Sequence, residues 1–340
     1  MKAALLRPNR GVAIEDVPTP DAGPGEIVVA MHACGLCGSD LEKIRGTYTA
    51  APPVIGHEAV GVVVDVGSDV SRIHEGDRVF PHHHVPCGEC ALCRRGSPTM
   101  CAHYRATNLE PGGFAERFRV PRWNVLHGGV LPLPTGMDFE SGTFIEPLAC
   151  VIRAFDRCPI GAENALVIGA GPMGLLAIQL FRLRGIDRVF ASEISPVRKA
   201  VAERVGADPA WNPKVDDVPS KTHEETNGRG ADLVFVATGH PPAIVQALGA
   251  VRPGGTVCLL GVPEAGSRLD FDPSEFVTRE ISVVPSNAAT EIETRKALTL
   301  VDQKKIDVGS LISHRFRLAA FPEAVRIAER ADCVKAIIVP

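Results

Sequence analysis

Three groups of residues in this chain have types and spacings that could do chemistry. The first is Cys37, Ser39 and Asp40 in "CGLCGSD", taken with His57 and Glu58 in "GHE". A thiolate, an imidazole and a carboxylate form a mixed, unsaturated donor set of the kind catalytic zinc uses, with a position left for water or an alcohol oxygen. Asp40 is the residue type that orients a ligand imidazole from behind. Each of these residues alone is weak, since a lone cysteine is usually a small core hydrophobe. The weight lies in the combination.

The second group is Cys87, Cys90, Cys93 and Cys101, spaced C-x-x-C-x-x-C-x7-C. Four thiolates saturate a tetrahedral zinc and leave no place for substrate, so such an ion would be structural. Ten cysteines in 340 residues are too few and too unevenly placed for a disulfide scaffold. A reducing compartment favours metal over disulfide for the cluster. The preceding His82, His83 and His84 are read as a polar approach to this lobe rather than as ligands, with room for one of them to face an active cleft.

The third group is "GAGPMG", with Gly169, Gly171 and Gly174 in G-x-G-x-x-G register. An apolar strand pattern precedes it and an apolar helix pattern follows. Glu193 stands at the end of the next strand pattern. That context predicts a Rossmann unit with a pyrophosphate on the helix N-terminus. A carboxylate at Glu193 can accept both ribose hydroxyls of NAD and would repel the 2′-phosphate of NADP, so NAD is expected over NADP. Arg198 could stack on adenine or meet a phosphate.

The elements that must position these groups differ along the chain. Residues 1–150 carry short β-branched runs such as "EIVVAMHACG", "GVVVDVG" and "DRVFPHH" between turn signals, which predicts a β-rich unit. After Glu146-Pro147, apolar strands at "NALVIG", "DRVFAS", "LVFVAT", "TVCLLG" and "ISVVPS" alternate with helical patterns, including "SPVRKAVAERVG" and "PPAIVQALGAV". This predicts a parallel doubly wound sheet, with "RPGGT" as a turn into a buried strand. "TRKALTLVDQKKI" and "FPEAVRIAERA" are expected helices and "LISHRFRL" and "VKAIIVP" strands, rejoining the first, discontinuous domain.

Bulk properties narrow the function class. A composition 45% hydrophobic and 22% charged is that of a folded globular chain, and a net charge of −4 speaks against nucleic acid or anionic membrane as partner. The longest apolar stretch, Ala165 to Ile178, is broken by glycines and proline and is too short for a span of about 20 residues. "MKAALLRPNRG" puts Arg7 and Pro8 where the apolar core of a leader would lie, so a cytoplasmic location is expected.

"GHEAVGVVVDVGSDV" (Gly56, His57, Glu58, Gly61, Gly67, Val70) matches the zinc-containing alcohol dehydrogenase signature at its defined positions. The whole chain resembles the zinc-dependent medium-chain dehydrogenases, and most of all the sorbitol (polyol) and threonine dehydrogenase branch. The resemblance implies a GroES-like catalytic domain over 1–150 and 287–340, with a structural-zinc lobe at about 82–104, and a Rossmann NAD-binding domain over 151–286. It implies two zincs per chain. Cys37 and His57 match catalytic ligands; Glu146, in "IEPLAC", matches the third ligand position; Glu58 matches an acid that can itself enter the coordination sphere. Glu146-Pro147 also looks like a helix start, where a carboxylate is favourable in any case, and Cys150 is a rival ligand one turn on. Pro172, Met173, Thr238, Val262 and Ser286 fall at cofactor-contact positions, and a homodimer or homotetramer is implied.

The chain departs from the family at three places. Glu42 stands where many members have a proton-relaying His, Lys43 where polyol dehydrogenases have Tyr, and their Arg-Tyr pair is not recognisable in "VVPSNAATEIET". The expected reaction is zinc- and NAD-dependent oxidation of a secondary alcohol of polyol or sugar type, reversible as carbonyl reduction. Ser39 would take the alcohol proton and pass it on through the cofactor ribose or Glu42. Threonine or another amino or simple secondary alcohol is the alternative substrate. A nucleotide-sensing or zinc-binding interaction protein is the alternative outside catalysis.

Overall fold

The computed structural model describes residues 1–7, 11–46, 53–159, 161–330 and 332–340; Pro8, in the stretch read against a leader, lies outside them. The chain divides into two compact units, Met1–Ala149 with Ala289–Lys304 and Val308–Pro340, and Cys150–Ala288 with Lys305–Asp307.

The first unit is built on a seven-stranded sheet. Six strands run in the spatial order Ile312–Arg317, Lys335–Val339, Ile27–Gly35, Glu58–Val66, Arg78–Pro81 and Val130–Pro132, and Arg117–Val120 pairs with Ile27–Gly35. A separate antiparallel hairpin joins Lys2–Arg7 to Gly11–Asp16. Ile27–Gly35 is almost wholly buried, as its run of Ile, Val, Ala and Met demands of a strand covered on both sides. Its core partners include Phe114, Phe118 and Phe321. Each fully buried aliphatic or aromatic side chain there contributes about 1.5–3 kcal/mol. The last strand pairs antiparallel with this central one, Ile337 opposite Gly35. The chain's end therefore lies beside the start of Glu58–Val66, where Gly35 pairs with Glu58.

The second unit holds six parallel strands in the order Ala210–Trp211, Arg188–Ser192, Asn164–Ile168, Ala231–Val236, Val251–Leu259 and Ser282–Pro285. Numbered within the unit this is 3-2-1-4-5-6, the doubly wound dinucleotide-binding order, with its switch point between Asn164–Ile168 and Ala231–Val236. The five strands expected from sequence are all present, and "ISVVPS" lies at the sheet edge. Ala210–Trp211 was not foreseen, because two residues carry no periodicity. "RPGG" also differs from expectation. It is not a turn before a strand but an irregularity within one, since Ala231 pairs with Val251 and Leu233 with Thr256. Among the described residues, no helix is long and apolar enough to cross a membrane.

Candidate active site

Cys37 is the N-cap of the helix Gly38–Arg45, with extended backbone. The Asp40 carboxylate accepts a hydrogen bond from the Cys37 amide at 3.2 Å, satisfying a helix-start donor. Its other oxygen lies 3.4 Å from His57 Nδ1. The pair is close but not aligned as a hydrogen bond. Asp40 is fully buried. Burial pushes its carboxyl up, yet His57, Lys43 and the Cys37 amide together hold it below its usual range. Burial opposes charge on His57, but Asp40 and the Cys37 sulfur outweigh it and raise its proton affinity well above the ordinary value.

Cys37, His57 and Glu58 bring their ligand atoms within 4.8 Å of one another. The donor chemistry fits zinc: a thiolate and an imidazole from separate elements, with the imidazole's Nδ1 turned to a carboxylate so that Nε2 is the ring nitrogen left for an ion. Glu58 is also committed elsewhere. It is buried and ion-paired through Oε2 with the buried Lys335, whose ammonium also donates to the Leu36 carbonyl at 3.2 Å. Burial raises the Glu58 carboxyl and the Lys335 charge pulls it back. Nothing in the sequence pointed to Lys335, which is 277 residues away.

The structure brings Glu146 together with His82 and His83, their ligand atoms also within 4.8 Å of one another. This differs from the reading of the histidines as a polar approach: His82 is wholly buried and His83 is 8% exposed. The strand Arg78–Pro81 delivers them inward, and Asn124 Nδ2 fixes their backbone by donating to the carbonyls of His82 at 2.8 Å and His83 at 3.0 Å. Burial and the neighbouring histidines push the His83 imidazole well below its usual pKa, keeping it neutral. The ring centroids of His57 and His83 are 5.0 Å apart, so the two donor groups adjoin. Ser39 and Glu42 are half-buried on the helix that Cys37 caps, and burial raises the Glu42 carboxyl.

The four cysteines of the lobe converge. Sulfur separations are 3.9 Å for Cys87 and Cys93, 3.6 Å for Cys90 and Cys93, and 3.5 Å for Cys101 and Cys87. Four sulfurs at about 2.3 Å from a tetrahedral zinc are about 3.8 Å apart, so the cluster fits the ion and is far too open for disulfides, which need about 2.05 Å. All ten cysteines are free.

In the second unit the glycine motif closes the strand Asn164–Ile168 onto the helix Pro172–Leu183. Gly169 has φ +90°, and a Cβ on Gly174 would stand 1.9 Å from the Gly169 carbonyl oxygen, so only glycine fits there. A Cβ on Gly171 would meet nothing within 4 Å, which leaves the approach to the helix N-terminus open. Pro172 and Met173 form the first turn of that helix. Glu193 is buried and fixed, accepting from the Ala170 amide at 2.7 Å and the Ser195 amide at 2.8 Å. Arg198 is half-buried near the start of the next helix. Thr238 lies against Gly169 at the switch point, Val262 backs onto Gly239, and Ser286 follows the edge strand with its hydroxyl buried.

Residues 23–133 match the alcohol dehydrogenase GroES-like domain and residues 172–303 the zinc-binding dehydrogenase domain. A sorbitol dehydrogenase of Halalkalibacterium halodurans is 30% identical over 99% of both chains. The chain belongs to the zinc-dependent medium-chain dehydrogenase family. Within that family, an L-threonine 3-dehydrogenase of Pyrococcus furiosus is 32% identical over 92% of this chain and 90% of its own. A Sinorhizobium meliloti structure described as that of a zinc-binding dehydrogenase bound to NADP superposes with TM-score 0.91 at 31% identity, covering 100% of this chain and 99% of the other. The fold class is that of the family, a GroES-like β-rich domain with a Rossmann-type domain.

Proposed function

We propose that this family member oxidises a secondary alcohol of polyol or sugar type to the ketone with NAD⁺, releasing NADH and a proton, and runs the reverse reduction. The observation that carries the reading is the convergence of Cys37 and His57, backed by Asp40, on one buried position. A bound zinc there supplies the Lewis acidity that lowers an alcohol's pKa, and the nicotinamide supplies the hydride acceptor. Cys37 and His57 hold the ion with Glu146 as the third ligand and Glu58 as an acid able to join them, and Asp40 orients the His57 ring. Ser39 takes the hydroxyl proton and Glu42, whose carboxyl burial raises, passes it toward solvent in place of the family's usual histidine. Cys87, Cys90, Cys93 and Cys101 hold a second, structural zinc.

Cofactor choice follows from Glu193. Its carboxylate, pinned at the glycine turn, suits a ribose diol and repels a 2′-phosphate, so NAD is preferred over NADP. The cofactor rests on Gly169, Gly171, Pro172, Met173 and Gly174, with Arg198, Thr238, Val262 and Ser286 around it. The enzyme is taken as a cytoplasmic homodimer or homotetramer, the edge strand Ser282–Pro285 offering a pairing face.

The identity to an L-threonine 3-dehydrogenase supports threonine as the second reading of the substrate. NAD⁺ reduction over polyols, aldoses, inositols, threonine and simple secondary alcohols decides. The reading predicts the highest kcat/KM on a polyol or sugar alcohol; a clear preference for threonine would replace it.

A further inference from the structure

We propose that Cys158 and Cys258 form a redox-modification site: oxidation joins them in a disulfide that ties a helix end to a strand leading into the cofactor site, and so loosens the cofactor. Both residues belong to the second unit. Cys158 lies two residues beyond the helix Ile145–Asp156, and Cys258 is in the strand Val251–Leu259. Their thiols converge on one acceptor. Cys158 Sγ donates to the Ala154 carbonyl at 3.3 Å, and Cys258 Sγ donates to the same carbonyl at 3.7 Å. That carbonyl is in the last turn, where a helix leaves acceptors without an intrahelical partner. The two thiols also interact directly. Neither belongs to the Cys37 set or to the four-cysteine lobe.

The pair is asymmetric in the way a stepwise oxidation needs. Cys158 is 8% exposed and Cys258 is wholly buried. Cys258 and the Arg157 charge outweigh burial at Cys158 and hold its thiol below the ordinary pKa, whereas Cys158 and burial push the Cys258 thiol up. The thiolate is the reactive form, so Cys158 meets a small oxidant such as hydrogen peroxide first. Its sulfur takes one peroxide oxygen to become a sulfenic acid, and the other oxygen leaves as water with the thiol proton. The Cys258 sulfur then attacks the Cys158 sulfur. The S–O bond breaks, the S–S bond forms, and the second oxygen leaves as water with the Cys258 proton. Two thiols and one peroxide thus give one disulfide and two waters.

The bond brings the sulfurs to about 2.05 Å and draws the strand toward the helix end. The strand runs directly into residues 260–262, and that stretch has no slack: a Cβ on Gly261 would stand 2.2 Å from the Thr238 backbone. Thr238 in turn lies against Gly169, so the displacement reaches the glycine turn. Only this last consequence rests on the cofactor placement proposed above.

The zinc-loaded full chain is treated with hydrogen peroxide, alkylated, digested without reduction and mapped by mass spectrometry. NADH binding is titrated by fluorescence before and after. A Cys158–Cys258 linked peptide is expected, with NADH affinity at least about fivefold weaker and recovered with dithiothreitol. Cys158→Ser keeps a donor for the Ala154 carbonyl and should bind NADH equally before and after peroxide, which separates this pair from oxidation elsewhere. Alkylated Cys158 and Cys258 after peroxide would overturn the proposal, and so would a linked pair with unchanged NADH affinity. Reduced protein that binds no NADH would instead refute the cofactor reading, leaving the peptide map to decide the disulfide alone.

Discussion

Replacing Lys335 by Met tests how the active-site strands are locked together. Lys335 is 2% exposed and Glu58 1% exposed, and they pair directly across the sheet. Removing one partner of a buried ion pair leaves the other charge uncompensated, at about 3–5 kcal/mol. The lost hydrogen bond to the Leu36 carbonyl adds about 1 kcal/mol. At about 2–4 °C per kcal/mol for a unit of this size, the melting transition of the first unit should fall by roughly 8–24 °C. Glu58→Gln alone should cost a comparable amount, since it strands the ammonium. The double variant should be less destabilised than the two singles summed, with a coupling energy of about 2–3 kcal/mol. Calorimetry on the zinc-loaded chain reads all four corners of the cycle. A coupling energy below about 0.5 kcal/mol would refute the reasoning and give the locking role to packing alone.

Three further outcomes follow from the second unit. Gly174→Ala puts a methyl against the Gly169 carbonyl and should weaken NADH binding at least about tenfold, read by fluorescence titration; unchanged affinity would remove the turn from the cofactor site. Glu193→Gln should lower the NAD-over-NADP ratio of kcat/KM by about tenfold or more, since it deletes the charge that repels a 2′-phosphate; an unchanged ratio would take cofactor choice away from this residue. Asp232 bears on acid stability. Burial pushes its carboxyl up, but Arg252 at 2.5 Å and the amides of Asn164 and Glu163 outweigh this and hold its pKa below the usual value. A depressed folded pKa gives stability that is present above the ordinary carboxylate range and lost as pH falls through the folded value. Asp232→Asn should therefore cost about 2–3 kcal/mol at neutral pH and flatten the acid limb of a stability–pH curve; an unchanged acid limb would contradict this.

What could be read from the sequence was what is local. The cysteine lobe lies within fifteen residues, and the glycine turn, its flanking strand and helix, and Glu193 lie within about thirty, so spacing alone conveys their geometry. Contacts made by distant segments were not legible. Lys335 reaches Glu58 because the last strand adds to the central one, and Glu291 reaches His82 across 209 residues. Without those partners, the three consecutive histidines look polar and exposed, when His82 and His83 are buried and His82 is held from behind by Glu291. The irregularity at "RPGG" escaped for a different reason: turn residues mark a bulge and a chain reversal with the same signal.

The central claim is that Cys37 holds a zinc on which alcohol oxidation depends. Cys37→Ser, assayed beside wild type for NAD⁺ reduction on the best substrate and for zinc per chain, tests it most directly. The account predicts loss of one zinc, retention of the ion in the cysteine lobe, and a fall in turnover on the order of a thousandfold or more, the scale of losing a Lewis acid worth several kcal/mol. Full turnover after that zinc is lost, or an unchanged zinc count, would contradict it.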